Sequence, residues 1–439
     1  MPMAGSGERF RNSKYNGISK PLIEVDGVPM FQFAEQNIGI HFDERIFIVR
    51  KEDEIKDYIN NVYPEANIIE LEEKTEGTAC TILKAREHFQ DGSSIFIANC
   101  DQYVDWDGQE FLKLVEEEKI DGAIATFYEP GRSTKWSYAL TDDDGFVTKV
   151  AEKDPISDLA TVGYYYFRDG GDFISAAEAM INANDRVNNE FYTCPVFNYY
   201  LKLDKKVKTF NVEKMMGVGT PEDLEKYNFN KQFFNNSNCA VCVSGGADSA
   251  LMLYKVLQNN KEHTHIFTYA NNTLMLKNVT ASTAVVNRCV ELTGNHNVTH
   301  HVIHNEGDKP NGVDPLIDMV EPWVNKLNIS TLYLGVTKNP PIEISDKFMY
   351  ATWKDSTRDT VGERETLHID DGFKIRTPWI NIDKKGLAKI YKHEDLLDAL
   401  FPITYSCEWY PRDGNDPGME HCGKCWWCQE REWGFERLK

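Results

Sequence analysis

Several things are scarce in this chain of 439 residues, and each scarcity excludes something. No apolar run reaches the roughly 18 residues needed to span a bilayer. The start, MPMAGSGERF, has neither the basic nor the apolar segment of a secretory signal, so the expected location is cytoplasmic. Positive charge is short: 48 lysines and arginines stand against 69 aspartates and glutamates, a formal charge of −21. A polyanion would meet net repulsion there, which argues against nucleic acid as a partner; a solubilising acidic surface is the simpler meaning. Cysteine is sparse as well, ten in all, and four of the ten crowd between Cys407 and Cys428. That clustering points to metal rather than to a disulfide framework. Short-period repeats and extended low-complexity segments are missing too.

What is present reads as two domains, since the length exceeds one ordinary core and suits two of about 200 residues. A hydrophobic fraction of 41% is enough to fill both. In the first half, β-rich runs (RIFIV from Arg45, SSIFIAN from Ser93, DGAIATFY from Asp121, TVGYYYF from Thr161) alternate with amphipathic stretches such as EDEIKDYINNVY and GQEFLKLVEEEK. The second half repeats the alternation, with CAVCV, THIFTYA, THHVIH and STLYLGV as strands and SALMLYKVLQNN and STAVVNRCVELTG as helices. Between the halves, the asparagine-rich NFNKQFFNNSN breaks the pattern. The expected fold is therefore α/β: two doubly wound, mostly parallel sheet domains, 1–228 and 239–439, the second ending in a four-cysteine metal knot. Ligands in such folds bind beyond the carboxyl ends of the strands, where Gly5 and Asp101 fall.

Gly5-Ser6-Gly7-Glu8-Arg9-Phe10, followed by Lys20-Pro21-Leu22, combines a tight turn with two cations. Glycine lets the main chain approach phosphate oxygens, and Arg9 and Lys20 can neutralise a triphosphate and its pyrophosphate leaving group. With GVPM from Gly27, TEGTA from Thr75, ANCDQ from Ala98, AEK from Ala151, TVGYYYF and GVGTPEDL from Gly217, this turn resembles the signature of the sugar-phosphate nucleotidylyltransferases, in order from Gly5 to Leu224. The resemblance implies that Gly5, Ser6, Gly7 and Arg9 hold a nucleoside triphosphate and that Lys20 stabilises the attacked phosphate. It implies Gly77 and Thr78 near the base, Asp101 on a Mg²⁺ that bridges phosphates, and Glu152, Lys153 and Gly163 around the sugar phosphate. Read alone, Asp101 is a solvated turn residue after a strand. Two departures stand out. Many relatives carry a second metal-binding aspartate where this chain has Gly217. Only MPMA precedes Gly5, where a full central strand is usual, so either the true start lies upstream or this domain is compromised.

Ser244-Gly245-Gly246-Ala247-Asp248-Ser249 sits between a strand and a helix, where backbone N–H groups and the helix dipole favour phosphate; the plain alternative is a structural turn. It lacks the Gly-Lys-Ser/Thr ending of a Walker-type loop. It resembles the PP-loop of ATP pyrophosphatases. That likeness implies that Ser244, Gly245, Gly246 and Ser249 hold the pyrophosphate of ATP while Asp248 meets Mg²⁺. At the far end, Cys407, Cys422, Cys425 and Cys428 can converge on one tetrahedral Zn²⁺ with no open position, which makes that metal structural. An iron–sulfur cluster and buried free thiols remain the alternatives. The loop, TYSCEW from Thr404 and HCGKCWWCQER from His421 look like the 7-cyano-7-deazaguanine synthase group. Between those ends this chain has LGVTKNPPIEISD from Leu334 instead of the group's Gly-x-Asn, Asp and Tyr-Pro-Asp series, so a different substrate is expected. The histidines of THHVIH are expected to face solvent or satisfied partners, and Trp426 and Trp427 to pack over the knot.

The leading expectation is a bifunctional enzyme: a sugar-1-phosphate nucleotidylyltransferase fused to an ATP-dependent, AMP-forming ligase or amidating domain. Its small-molecule partners are then a nucleoside triphosphate, a sugar phosphate and an acid to be adenylated, with no membrane; homo-oligomerisation is left open. The alternative is a nucleobase-modifying enzyme whose first half binds a nucleotide without catalysis.

Overall fold

The computed structural model describes residues 1–89, 92–129, 131–271, 275–305, 314–349, 351–353, 358, 366–370, 373–407 and 420–438. The chain forms two compact units, Met1–Asn228 and Phe229–Lys439. Among the described residues no helix is long and apolar enough to cross a membrane.

Both units are α/β. In the first, a six-stranded sheet is built around Leu159–Phe167, which is buried along almost its whole length. This strand runs antiparallel to Gly122–Tyr128, Ile95–Ala98 and Ser137–Thr141, while Gly122–Tyr128 pairs in parallel with Val207–Asn211. Ile46–Arg50 and Asn67–Leu71 form a separate parallel pair. The four residues before Gly5 extend that pair, because Met3 N–H donates to the Ile48 carbonyl at 2.8 Å and Ile48 N–H to the Met1 carbonyl at 3.1 Å. GQEFLKLVEE becomes the helix Gly108–Glu117, capped by the Asp107 carboxylate on the N–H groups of Gln109 and Glu110.

In the second unit, five strands lie parallel in the order Val298–Asn305, Thr264–Asn271, Cys239–Cys242, Thr331–Leu334, Phe373–Arg376, with Thr366–Asp370 antiparallel at the edge. The first strand in sequence, Cys239–Cys242, is thus central, and the chain leaves it in both directions. Such a reversal opens a crevice at the carboxyl ends of the strands, and Ser244–Ser249 begins there. The helix Ala247–Asn259 follows and is buried along most of its length. Its one buried lysine, Lys255, meets Glu394 at 3.0 Å. The asparagine-rich stretch is helical to Phe233. Its aromatic residues explain this: Phe229 stacks on Trp379, and Phe233 and Phe234 enter the core of the second unit.

Candidate functional site

In the first unit, Gly7 takes a left-handed conformation (φ 62°) and hands the chain to the short helix Glu8–Arg11. A side chain there would be strained, and its Cβ would lie 3.2 Å from Lys20 Cβ. The turn, Arg9 and Lys20 line a cleft of about 430 Å³, and Gly77 and Thr78 line it from across. Gly77 must be glycine: its φ is 138°, and a Cβ would overlap the backbone of Phe191. Thr78 Oγ1 accepts from Thr193 N–H at 3.1 Å and from Thr193 Oγ1 at 2.9 Å, so the segment after Glu190 lies against the strip expected to meet the base.

Asp101 forms an ion pair with Lys20. Burial opposes the Lys20 ammonium, yet the neighbouring Asp101 charge holds its pKa above the usual lysine range. The GVGT turn closes over Asp101: Val218 N–H donates to its carbonyl at 2.9 Å, and Gly219 packs where any side chain would overlap the Asp101 carboxylate. Gly163 (φ 84°) interrupts the strand Leu159–Phe167 and leaves room for Asn99, two residues from Asp101. Glu152 takes a hydrogen bond from Ser137, and burial pushes its pKa up. Lys153 reaches Tyr192 Oη at 2.8 Å.

Three further residues belong to this cleft or its rim and carry no motif. Lys74 and Glu190 line it and pair at 3.1 Å. Tyr192 holds Lys153. The only sequence signal is Asn188-Asn189, a turn-forming pair that does adopt left-handed φ values of 47° and 65°.

In the second unit, Gly246 begins the helix Ala247–Asn259, and Gly245 (φ 89°) presses on Ala281. Ser249 Oγ accepts from Ser244 N–H at 3.2 Å and donates to the Gly246 carbonyl at 3.1 Å, which shapes the loop. Asp248 pairs with Lys384 and accepts from Thr337 Oγ1 at 3.0 Å. The LGVTKN segment approaches because Gly335 has no side chain; a Cβ there would lie 2.8 Å from Ser249 N. Lys384 and Thr337 also went unsignalled in the sequence.

The sulfur atoms of Cys407, Cys422, Cys425 and Cys428 all lie within 4.8 Å of one another. Two pairs, Cys422–Cys428 and Cys425–Cys407, stand 3.9 Å apart. Sulfurs about 2.3 Å from one tetrahedral ion are about 3.8 Å from each other, so the set fits a single metal ion. Among the described residues no other group of three or more His, Cys, Asp or Glu side chains is placed to hold one. Trp427 packs on the knot, whereas Trp426 is buried against Phe348. Arg431, in the helix that follows, is 1% exposed, and burial lowers its pKa to about 10. The histidines of Val298–Asn305 find partners: His300 meets Thr268 Oγ1 at 2.7 Å, and His301 meets His265 at 3.2 Å.

Two family models match the chain: nucleotidyl transferase over residues 3–232, and queuosine biosynthesis protein QueC over residues 316–439, a span that begins past the Ser244–Ser249 loop. Among solved structures, the chain is similar to a nucleoside-diphosphate-sugar pyrophosphorylase from Vibrio cholerae RC9, at 23% identity and a TM-score of 0.45, covering 52% of this chain and 99% of that one. It is also similar to a putative glucose-1-phosphate thymidylyltransferase from Bacillus anthracis (16%, TM-score 0.44, 52% and 92% covered). A third is the inositol-1-phosphate CTP transferase of T. maritima (12%, TM-score 0.42, 52% and 91% covered). No curated protein matches. The nucleotidyl transferase match spans more than half of the 439 residues, and a QueC-type domain follows it, so this is a fused two-domain enzyme that belongs to the nucleotidyl transferase family.

Proposed function

We propose that the first unit transfers a nucleotidyl group from a nucleoside triphosphate to a sugar 1-phosphate. The observation that carries this reading is the convergence of Gly5, Ser6, Gly7, Arg9, Lys20, Gly77 and Thr78 on one cleft. The backbone of the turn and Arg9 hold the β- and γ-phosphates, and Lys20 neutralises charge as the α-phosphorus is attacked. Glu152, Lys153 and Gly163 border the acceptor. An oxygen of its phosphate forms the new bond to the α-phosphorus in line with the bond that breaks, and pyrophosphate leaves. Positioning and charge neutralisation supply the acceleration. Asp101 is the carboxylate that would hold Mg²⁺, which adds positive charge between the phosphates when bound.

In the second unit, the Ser244–Ser249 loop cradles the pyrophosphate of ATP at the start of a buried helix, with Asp248 as the metal carboxylate. An oxygen of an acid bonds to the α-phosphorus as the α–β bond breaks and pyrophosphate leaves; a nitrogen nucleophile then attacks the adenylated carbon and AMP leaves. The four cysteines hold a structural Zn²⁺; a multi-iron cluster would need its thiolates spread further apart than this set. The test for the first unit is an assay with Mg²⁺ and each α-labelled nucleoside triphosphate against a panel of sugar 1-phosphates. A labelled nucleotide sugar supports the reading, and no product from any pair sinks it. The QueC match favours a second reading, a nucleobase-modifying second unit served by a nucleotide-binding first unit. Formation of 7-cyano-7-deazaguanine from the carboxylate, ammonia and ATP would establish it.

A further inference from the structure

The helix Trp426–Phe435 carries Cys428 in its first turn and starts directly after Cys425. Two charged side chains, Glu430 and Arg431, follow, each 1% exposed. Charges are buried so completely only where partners meet them; Arg431 donates to the Leu438 and Phe401 carbonyls, and further partners of both side chains lead to the Ser244–Ser249 loop. Glu430 receives Arg358 through Nη2 at 2.5 Å and Nη1 at 3.3 Å. Arg358 donates in turn to the Thr337 carbonyl at 2.7 Å and to Thr337 Oγ1 at 3.0 Å. Because Arg358 occupies a lone pair of that hydroxyl, its single proton is directed at Asp248 Oδ2, 3.0 Å away. Arg431 makes the second arm: Nη1 donates to Thr404 Oγ1 at 2.8 Å and to Ser406 Oγ at 3.4 Å. The residue between them, Tyr405, donates its N–H to the Gly245 carbonyl at 2.8 Å.

We infer that Glu430 and Arg431 are positioning residues. Through Arg358 and Thr337, Glu430 aims the Asp248 carboxylate; through Thr404–Ser406, Arg431 fixes the turn at Gly245. The cysteine knot therefore sets the geometry of the phosphate loop as well as the fold of its own end of the chain. A helix pinned by a tetrahedral ion is a stiff base for this, and outer partners that orient a ligating carboxylate govern its affinity. The inference rests on reading the loop as an ATP site.

The test is binding of Mg²⁺ and α,β-methylene-ATP to the full-length protein by titration calorimetry, with bound metal counted on the same samples. The site in the second unit is the one that disappears in Asp248→Asn. Glu430→Gln keeps the size of the side chain and one of the two oxygens that accept from Arg358, but removes its charge. Thr337→Val breaks the same arm at a point outside the knot helix. Both are expected to weaken the Asp248-dependent site by roughly 10- to 100-fold, while metal content and any site in the first unit stay as in wild type. Wild-type affinity at the Asp248-dependent site in both metal-loaded variants overturns the inference and leaves the ATP loop standing. If no site depends on Asp248, the ATP-loop reading falls and the inference with it. Should Glu430→Gln lose its metal or its fold, Thr337→Val decides by itself.

Discussion

Both units bend the chain around glycine where phosphate is expected, yet they assemble positive charge by different means. In the first, Gly5–Gly7 leads into a helix of only four residues, too short to add a useful dipole, and the charge comes from the side chains of Arg9 and Lys20. In the second, Gly246 opens a helix of 13 residues whose first turn offers unpaired N–H groups, and the side chain at its mouth is an aspartate already joined to a lysine. Where a long helix follows the turn, the backbone can carry the anion; where none follows, cationic side chains must. Support differs in the same sense. The first turn closes locally, Phe10 N–H donating to the Gly7 carbonyl at 3.0 Å, while the second leans on the cysteine knot, because Tyr405 binds Gly245 two residues before Cys407.

The largest effect should come from removing that support. Cys425→Ser leaves three thiolates and should release the metal. The second unit should lose several kcal/mol, a share of the roughly 10–16 kcal/mol with which such sites bind zinc. Hydrogen exchange reads the units separately: protection should collapse in 229–439 and persist in 1–228. A stable, metal-free Cys425→Ser protein that still releases AMP would end the claim that the knot supports the second loop. Next in size are the charged groups themselves. Lys20→Ala and Asp101→Ala should cut nucleotidyl transfer by roughly 100- to 1,000-fold and spare AMP formation, with Asp248→Ala doing the reverse. If any of the three substitutions abolished both activities, the chain would not hold two independent sites.

A smaller effect separates the glycines. Gly245 has a φ of 89°, and a Cβ there would lie 2.5 Å from Ala281 Cβ, whereas a Cβ on Gly5 meets nothing within 4 Å. Gly245→Ala should destabilise the second unit by about 1–3 kcal/mol, and Gly5→Ala should stay within about 0.5 kcal/mol of wild type in the first. Equal costs in denaturant unfolding would erase the distinction between a packed turn and an open one.

The two turns were legible in the sequence because phosphate chemistry demands small residues in a row, and a row survives in one dimension. So was the α/β class, since apolar runs and amphipathic stretches alternate visibly. Strand direction was legible in the second unit, where five strands run parallel as the alternation implies, but not in the first, where Leu159–Phe167 lies antiparallel to three partners. Nor were the partners of the site residues legible. Lys384 meets Asp248 across 136 positions and Glu190 meets Lys74 across 116, and a lone lysine or glutamate on a charged surface has no signature of its own. The knot shows the boundary between the two cases, because four cysteines announce a metal by spacing while the Glu430 and Arg431 that follow show their reach only in three dimensions.

Acid offers the gentlest way to tell the units apart. His265 is buried on Thr264–Asn271, with the imidazoles of His263 beside it and His301 at 3.2 Å from the neighbouring strand. Burial, and then the charges of His263 and His301, lower its pKa to about 4. An unfolded histidine titrates near 6.5, so between pH 6.5 and 4 the unfolded chain binds a proton that the folded one refuses. Stability contributed by the neutral ring is therefore complete above pH 6.5 and is lost as pH falls through that window. The second unit should melt at progressively lower temperature over this range, by about 2–4 °C for each kcal/mol lost. Protonation of the knot thiolates would pull in the same direction, but it does not depend on His265. Burial also lowers the pKa of His300 and His301, so His265→Gln should remove the His265 share alone, leaving a flatter profile with the same metal loss. An unchanged slope in that variant would remove His265 from the acid response of the second unit.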